Sequence, residues 1–130
     1  MPYAKTPVSA NELFVQGLVR EVPELAPTFQ EHVKFYEELL PHVLMGDVGR
    51  FVVANAISRD SKSALERLMA YLEEGLANGP AEVQELIVAS FVEYLQDEAS
   101  TILTLAPVMG PRLKKEINAI CGPFLSGEAL

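Results

Sequence analysis

Apolar residues recur along most of the chain at spacings of three and four, the period of an α-helix, and nowhere in clean alternation. Ser9 followed by Glu12 has the spacing of a capping box, and Leu13, Phe14, Gly17 and Leu18 then trace one apolar face. Pro23 is expected to stop that helix near Val22, because the residue before a proline is driven out of helical geometry. Pro27 suits a first turn, and Leu25, Phe29, Val33, Tyr36 and Leu40 follow at helical spacing until Pro41 closes the second helix. A third, shorter helix is predicted from about Asp47, its N-cap, to Ile57.

The fourth helix is predicted to begin in "SRDSKS", where Ser63 and Glu66 repeat the capping-box spacing, and its stripe is Leu65, Leu68, Met69, Leu72 and Leu76. Asn78-Gly79-Pro80 combines a left-handed helix end with a proline suited to starting the next helix. That fifth helix, about Pro80 to Glu98, is apolar nearly all round and is expected at the centre of the domain. Its one polar strip is Glu82, Glu85, Glu93, Gln96 and Asp97. Pro107, Gly110, Pro111, Gly122 and Pro123 break the tail, leaving one basic helix from about Pro111 to Cys121. The prediction is an all-α, single-domain antiparallel bundle of five or six helices over residues 1–130. Residues 1–8 are expected to be flexible, 9–98 to form the core helices, and 107–125 the C-terminal basic helix and tail.

Nearly half of the 130 residues are apolar, enough for a real core. A single cysteine, Cys121, rules out an internal disulfide framework and fits a reducing compartment. The opening "MPYAKTPVSANELF" has no apolar core of a secretory signal, and the longest apolar run is interrupted at Asn55, so a soluble cytoplasmic protein is expected. Charge alters this picture more than composition does. Of the net −8, residues 60–100 carry −7, with nine acidic side chains against Lys62 and Arg67. So acidic a centre repels phosphate backbones, which disfavours direct nucleic-acid binding, and it favours a basic protein partner.

Catalytic and metal signatures are weak. His32 and His42 pair with no carboxylate at a zinc-binding spacing, so no metal and no cofactor are expected. Cys121 lies in line with Ile117 and Ile120 and reads as a small buried hydrophobe. Ser90 sits mid-helix without a glycine elbow, and "MGDVGRF" lacks the lysine and preceding strand of a phosphate loop. Glu93 and Asp97, four apart, read as ordinary acids on a wet face.

The densest cluster of polar chemistry is "LPHVLMGDVGRF". As a corner it has Pro41 ending one helix, Gly46 in a conformation other residues resist, and Asp47 capping the next. His42 and Arg50 are surplus to that account. Arg50 can pair with Asp47 or with an acid on the fifth helix such as Glu93, and spacing does not choose between them.

This motif, together with "LIVASFVEYL" on the fifth helix, resembles a family of small all-helical bacterial proteins known only as a domain of unknown function and found near polymorphic toxins. The resemblance spans about residues 11–98. It rests on Leu40, Pro41, His42, Met45, Gly46, Asp47 and Arg50, then Ser90, Phe91 and Glu93, with Leu44 standing where that family usually has an aromatic. It implies an immunity protein, which covers a toxin's active site and needs no catalysis of its own. The partner expected is a cognate protein toxin with a basic cleft, and the expected contact residues are His42, Asp47, Arg50, Glu82, Glu85, Glu93 and Asp97. Tyr3, Phe35 and Phe124 are candidate aromatic anchors. The alternatives are an adaptor that docks a helix or peptide in a groove between its own helices and, weakest, an enzyme built on His42, Asp47, Arg50 and Glu93.

Overall fold

The computed structural model describes residues 8–122, which form helices and no strand. The expectations for residues 1–7, for the anchors Tyr3 and Phe124 and for the end of the tail lie outside the described residues. Seven α-helices are present among the described residues: α1 (Ala10–Glu21), α2 (Ala26–Tyr36), α3 (Pro41–Asn55), α4 (Lys62–Asn78), α5 (Ala81–Leu86), α6 (Ala99–Leu105) and α7 (Pro111–Cys121). The class is all-α as predicted, but the count exceeds five or six and the arrangement is not a regular antiparallel bundle.

Where local signals are strong, the prediction and the structure agree. Ser9 Oγ accepts the Glu12 N–H at 3.0 Å, and Glu12 Oε1 accepts the Ser9 N–H at 2.9 Å, completing the capping box of α1. The core face of α1 is turned slightly from the predicted one: Val15, Gly17 and Leu18 are buried, while Leu13 is exposed. The whole predicted stripe of α4 is buried, yet its capping box does not form. The helix starts one residue before Ser63, and the Ser61 hydroxyl donates to Asn55 Oδ1 instead.

The predicted corner at 41–47 is not a corner. α2 ends at Tyr36, and Glu37 takes the left-handed conformation (φ 61°). Leu40 is extended, and Pro41 opens α3 at its first position, where a missing N–H costs nothing. Asp47 is therefore not an N-cap, and Gly46 is an ordinary helical residue with nothing within 4 Å of an added Cβ. The Asn78-Gly79 pair is likewise not left-handed, since Gly79 is extended (φ −76°, ψ 161°).

The predicted fifth helix is one helical run over 81–97 with three pitches. α5 widens into a π-helical stretch, Ile87–Val92, and then tightens into a 3₁₀ stretch, Glu93–Asp97. Val83, Leu86, Ile87, Phe91, Val92 and Leu95 are all buried, which makes this run the centre of the core. α3 crosses it closely at Gly49, where an added Cβ would stand 2.6 Å from Tyr94 Cδ2. His42 meets Ser90 and Gly49 meets Tyr94, so the two elements advance in the same direction.

α7 has the predicted bounds, and a distant side chain completes its N-terminus. Glu73 on α4 accepts the Arg112 N–H at 3.0 Å and the Leu113 N–H at 2.9 Å, two donors that α7 cannot satisfy itself. The carboxylate lies where a Cβ on Gly110 would be, so glycine is the residue that fits at that N-cap.

Candidate partner-binding site

Three of the predicted site residues, His42, Asp47 and Arg50, lie on α3, and four, Glu82, Glu85, Glu93 and Asp97, lie on the run 81–97 packed against it. The structure joins only some of them. Asp47 and Arg50, three apart on α3, form a hydrogen-bonded ion pair, which decides between the two partners that spacing left open for Arg50. The pair is partly wet, with the Arg50 side chain 65% exposed and that of Asp47 22%.

His42 bonds elsewhere. Its Nδ1 lies 2.6 Å from Ser90 Oγ, and no carboxylate among the described residues pairs with the ring. A nucleophilic serine needs a base that is itself oriented by a third group. Here the imidazole and hydroxyl pin the start of α3 to the π-helical stretch. Glu82, Glu85, Glu93 and Asp97 are all exposed, and none forms an ion pair among the described residues.

His32 is a member of the site that the sequence reading missed. It is almost wholly buried on α2, and its Nε2 accepts the Leu40 N–H at 2.9 Å, tying the α2–α3 connection to the helix before it. Nε2 thus holds the lone pair and Nδ1 the proton. Nδ1 faces Asp47 Oδ2 at 3.5 Å, beyond ordinary hydrogen-bond reach, and has no other partner among the described residues. The only signal in the sequence was its register: 25, 29, 32 and 36 fall on one helical face, so a histidine stands in an apolar stripe. Ser90 gave a similar signal as a small polar residue in a helix otherwise apolar all round.

Around the Asp47–Arg50 pair, α2 and α3 enclose an open pocket of about 550 Å³ lined by Glu31, His32, Phe35, Tyr36 and Phe51 among others. Phe35 is 78% exposed at its lip, and its ring meets Tyr36 edge-on with centroids 4.8 Å apart. Cys121 is half-buried beside the carbonyl of Val92, and burial, reinforced by Asp97, holds its thiol above the ordinary range. It is therefore a poor nucleophile. No helix among the described residues is long and apolar enough to cross a membrane.

The candidate site of this all-helical domain is a polar seam along α3, beside acids that form no ion pair among the described residues. A family model described as Domain of unknown function (DUF7674) matches residues 15–122, and the chain belongs to that family. The matched span runs past residue 98 and through α7. No curated protein and no solved structure matches the chain.

Proposed function

We propose that this domain is a bacterial immunity protein: a cytoplasmic, non-catalytic inhibitor that binds one cognate toxin and covers its active or substrate-binding site. The observation that carries this reading is the uncompensated acid on the run 81–97. Arg67 is committed to Glu24 and Arg112 to Glu73, while Glu82, Glu85, Glu93 and Asp97 face solvent without a counter-charge among the described residues. Toxins that act on nucleic acid need basic clefts, and an acidic helical face is complementary to such a cleft. A specific interface of this kind buries about 1,200–2,000 Å² in total, within the reach of one side of a domain this size.

The test is coexpression with the products of the neighbouring genes, read as protection from a toxic one and a copurifying complex. Neither appearing would end the proposal. In the complex, Glu82→Lys with Glu85→Lys slows association by roughly tenfold and flattens its dependence on salt. A second reading has its own observation: a groove of about 400 Å³ lined by Leu65, Leu105 and Val108, beside an Ile57 that is 87% exposed. An adaptor that docks a peptide there would lose binding on Ile57→Asp and be indifferent to the charge reversal.

A further inference from the structure

We propose that the pocket between α2 and α3 is a socket for an arginine side chain of the partner protein, and that Arg50 is the internal plug which the incoming guanidinium displaces. This rests on the reading of a basic protein partner and narrows it to one contact. The pocket's charge is the first argument. Glu31 and Asp47 line it against Arg50 alone, and Glu31 forms no ion pair among the described residues. Its walls are the second. Phe35, Tyr36 and Phe51 present aromatic surface, and a cation is attracted to ring faces within about 6 Å. Phe35 contributes almost nothing to the core from its exposed position.

The third argument is the state of Asp47. Arg50 reaches it from three residues along the same helix and takes only Oδ1. Oδ2 stands 3.5 Å from the buried, unpartnered Nδ1–H of His32, too far for a hydrogen bond. The carboxylate, which lines the pocket, thus keeps one oxygen without a hydrogen bond among the described residues. A guanidinium arriving from outside can take both oxygens as a fork, which Arg50 does not do from its own position. Arg50 is mostly exposed already, so releasing it to water is cheap. Arginine suits the site better than lysine because its planar fork matches the carboxylate and stacks on the rings.

The test needs no toxin. Ring resonances of Phe35, Tyr36 and Phe51 are followed by NMR in the full chain, titrated with N-acetylarginine amide and with its neutral isostere, N-acetylcitrulline amide. The rings shift saturably with arginine and not with citrulline. Asp47→Asn weakens the response by about tenfold, the size of one charge-assisted contact. Arg50→Gln, at an exposed position that leaves the fold intact, strengthens it about threefold by removing the competitor. Silent rings, an equal response to citrulline, or weakening by Arg50→Gln would each overturn the socket. A toxin complex that forms while the rings stay silent sinks the socket and leaves the partner reading standing. Rings that respond in a chain that binds no toxin do the reverse.

Discussion

Gly46 and Gly49 are three residues apart on α3, and the structure gives them opposite reasons for being glycine. Nothing lies within 4 Å of a Cβ added at Gly46, so Gly46→Ala gains the helix preference of alanine, about 0.8–1 kcal/mol, at no steric cost. At Gly49 the same preference is opposed by Tyr94, whose Cδ2, Cγ and Cβ would stand 2.6, 2.9 and 3.2 Å from the new methyl. Rotating the ring relieves only the first of these contacts. Cγ can withdraw only by a change of χ1 inside the packed crossing, and Cβ is fixed to the backbone of the 81–97 run, so either the Tyr94 rotamer or the run itself must give way. Overfilling a packed crossing costs about 1–3 kcal/mol, which less the helix gain leaves Gly49→Ala destabilised by roughly 0–2 kcal/mol. Both variants share the helix gain, so they should differ by the steric cost alone, about 1–3 kcal/mol, a roughly five- to 150-fold difference in unfolding constant. Urea unfolding followed by far-UV circular dichroism measures this, with unchanged slopes as the check that the variants unfold to the same ensemble. If Gly49→Ala were as stable as Gly46→Ala, the close approach of α3 to Tyr94 would be wrong. The positioning of His42 against Ser90 would then lose its basis.

Three further outcomes follow from the same contacts. Glu73→Ala removes the acceptor for two α7 donors and should cost about 1–2 kcal/mol, seen first as faster amide exchange at Arg112 and Leu113. The hydrogen bonds from Arg67 hold the Glu24 carboxyl below its ordinary value of 4.5. The pair's contribution is thus complete above that pH and lost as pH falls through the lowered value, so Glu24→Gln should be slightly less stable than wild type at pH 7 and converge with it in acid; a constant gap across the titration would contradict the pairing. The Tyr71 hydroxyl donates to the Phe14 carbonyl at 2.7 Å and occupies the place of a Cβ on Gly17, so Gly17→Ala should destabilise wild type and be tolerated in Tyr71→Phe, a coupling that a double-mutant cycle measures directly.

What the sequence could reveal depended on how local its cause was. The Ser9–Glu12 box, the α4 stripe, the bounds of α7 and the central place of the 81–97 run all follow from residues within a turn or two of one another. The 37–47 stretch does not. Its Glu, Leu and Met residues suit a helix throughout, and Pro41 is as consistent with opening a helix as with closing one. The deciding contact is His32 accepting the Leu40 N–H across eight positions, which fixes an extended residue just before the proline. The site divides in the same way. Asp47–Arg50 was visible as neighbours on one helix, whereas His42–Ser90 spans 48 positions and His32 hides in an apolar stripe. The pitch changes within 81–97 left no mark in the hydrophobic pattern, because a π-helical stretch shifts register without changing which residues are apolar.

Most polar side chains with partners in this fold hold elements together: Arg67 with Glu24, Glu73 with the start of α7, His32 with Leu40, His42 with Ser90. Among the described residues Glu82, Glu85, Glu93 and Asp97 form no ion pair. Glu82 and Glu85 are three apart on one helix, a like-charge spacing that costs the free chain about 0.2–0.5 kcal/mol, and Glu93 and Asp97 share one short segment downstream. Sequences are expected to agree with their folds at every level except where function requires otherwise, and this run is where agreement fails. Its inner face, Val83 to Leu95, is buried in the core, while its exposed face works against stability. Salt then acts in opposite senses on the two. Screening relieves the repulsion within the free chain and would weaken the attraction toward the basic partner we propose, so one and the same charge destabilises this helical run in isolation and, on that proposal, serves its binding.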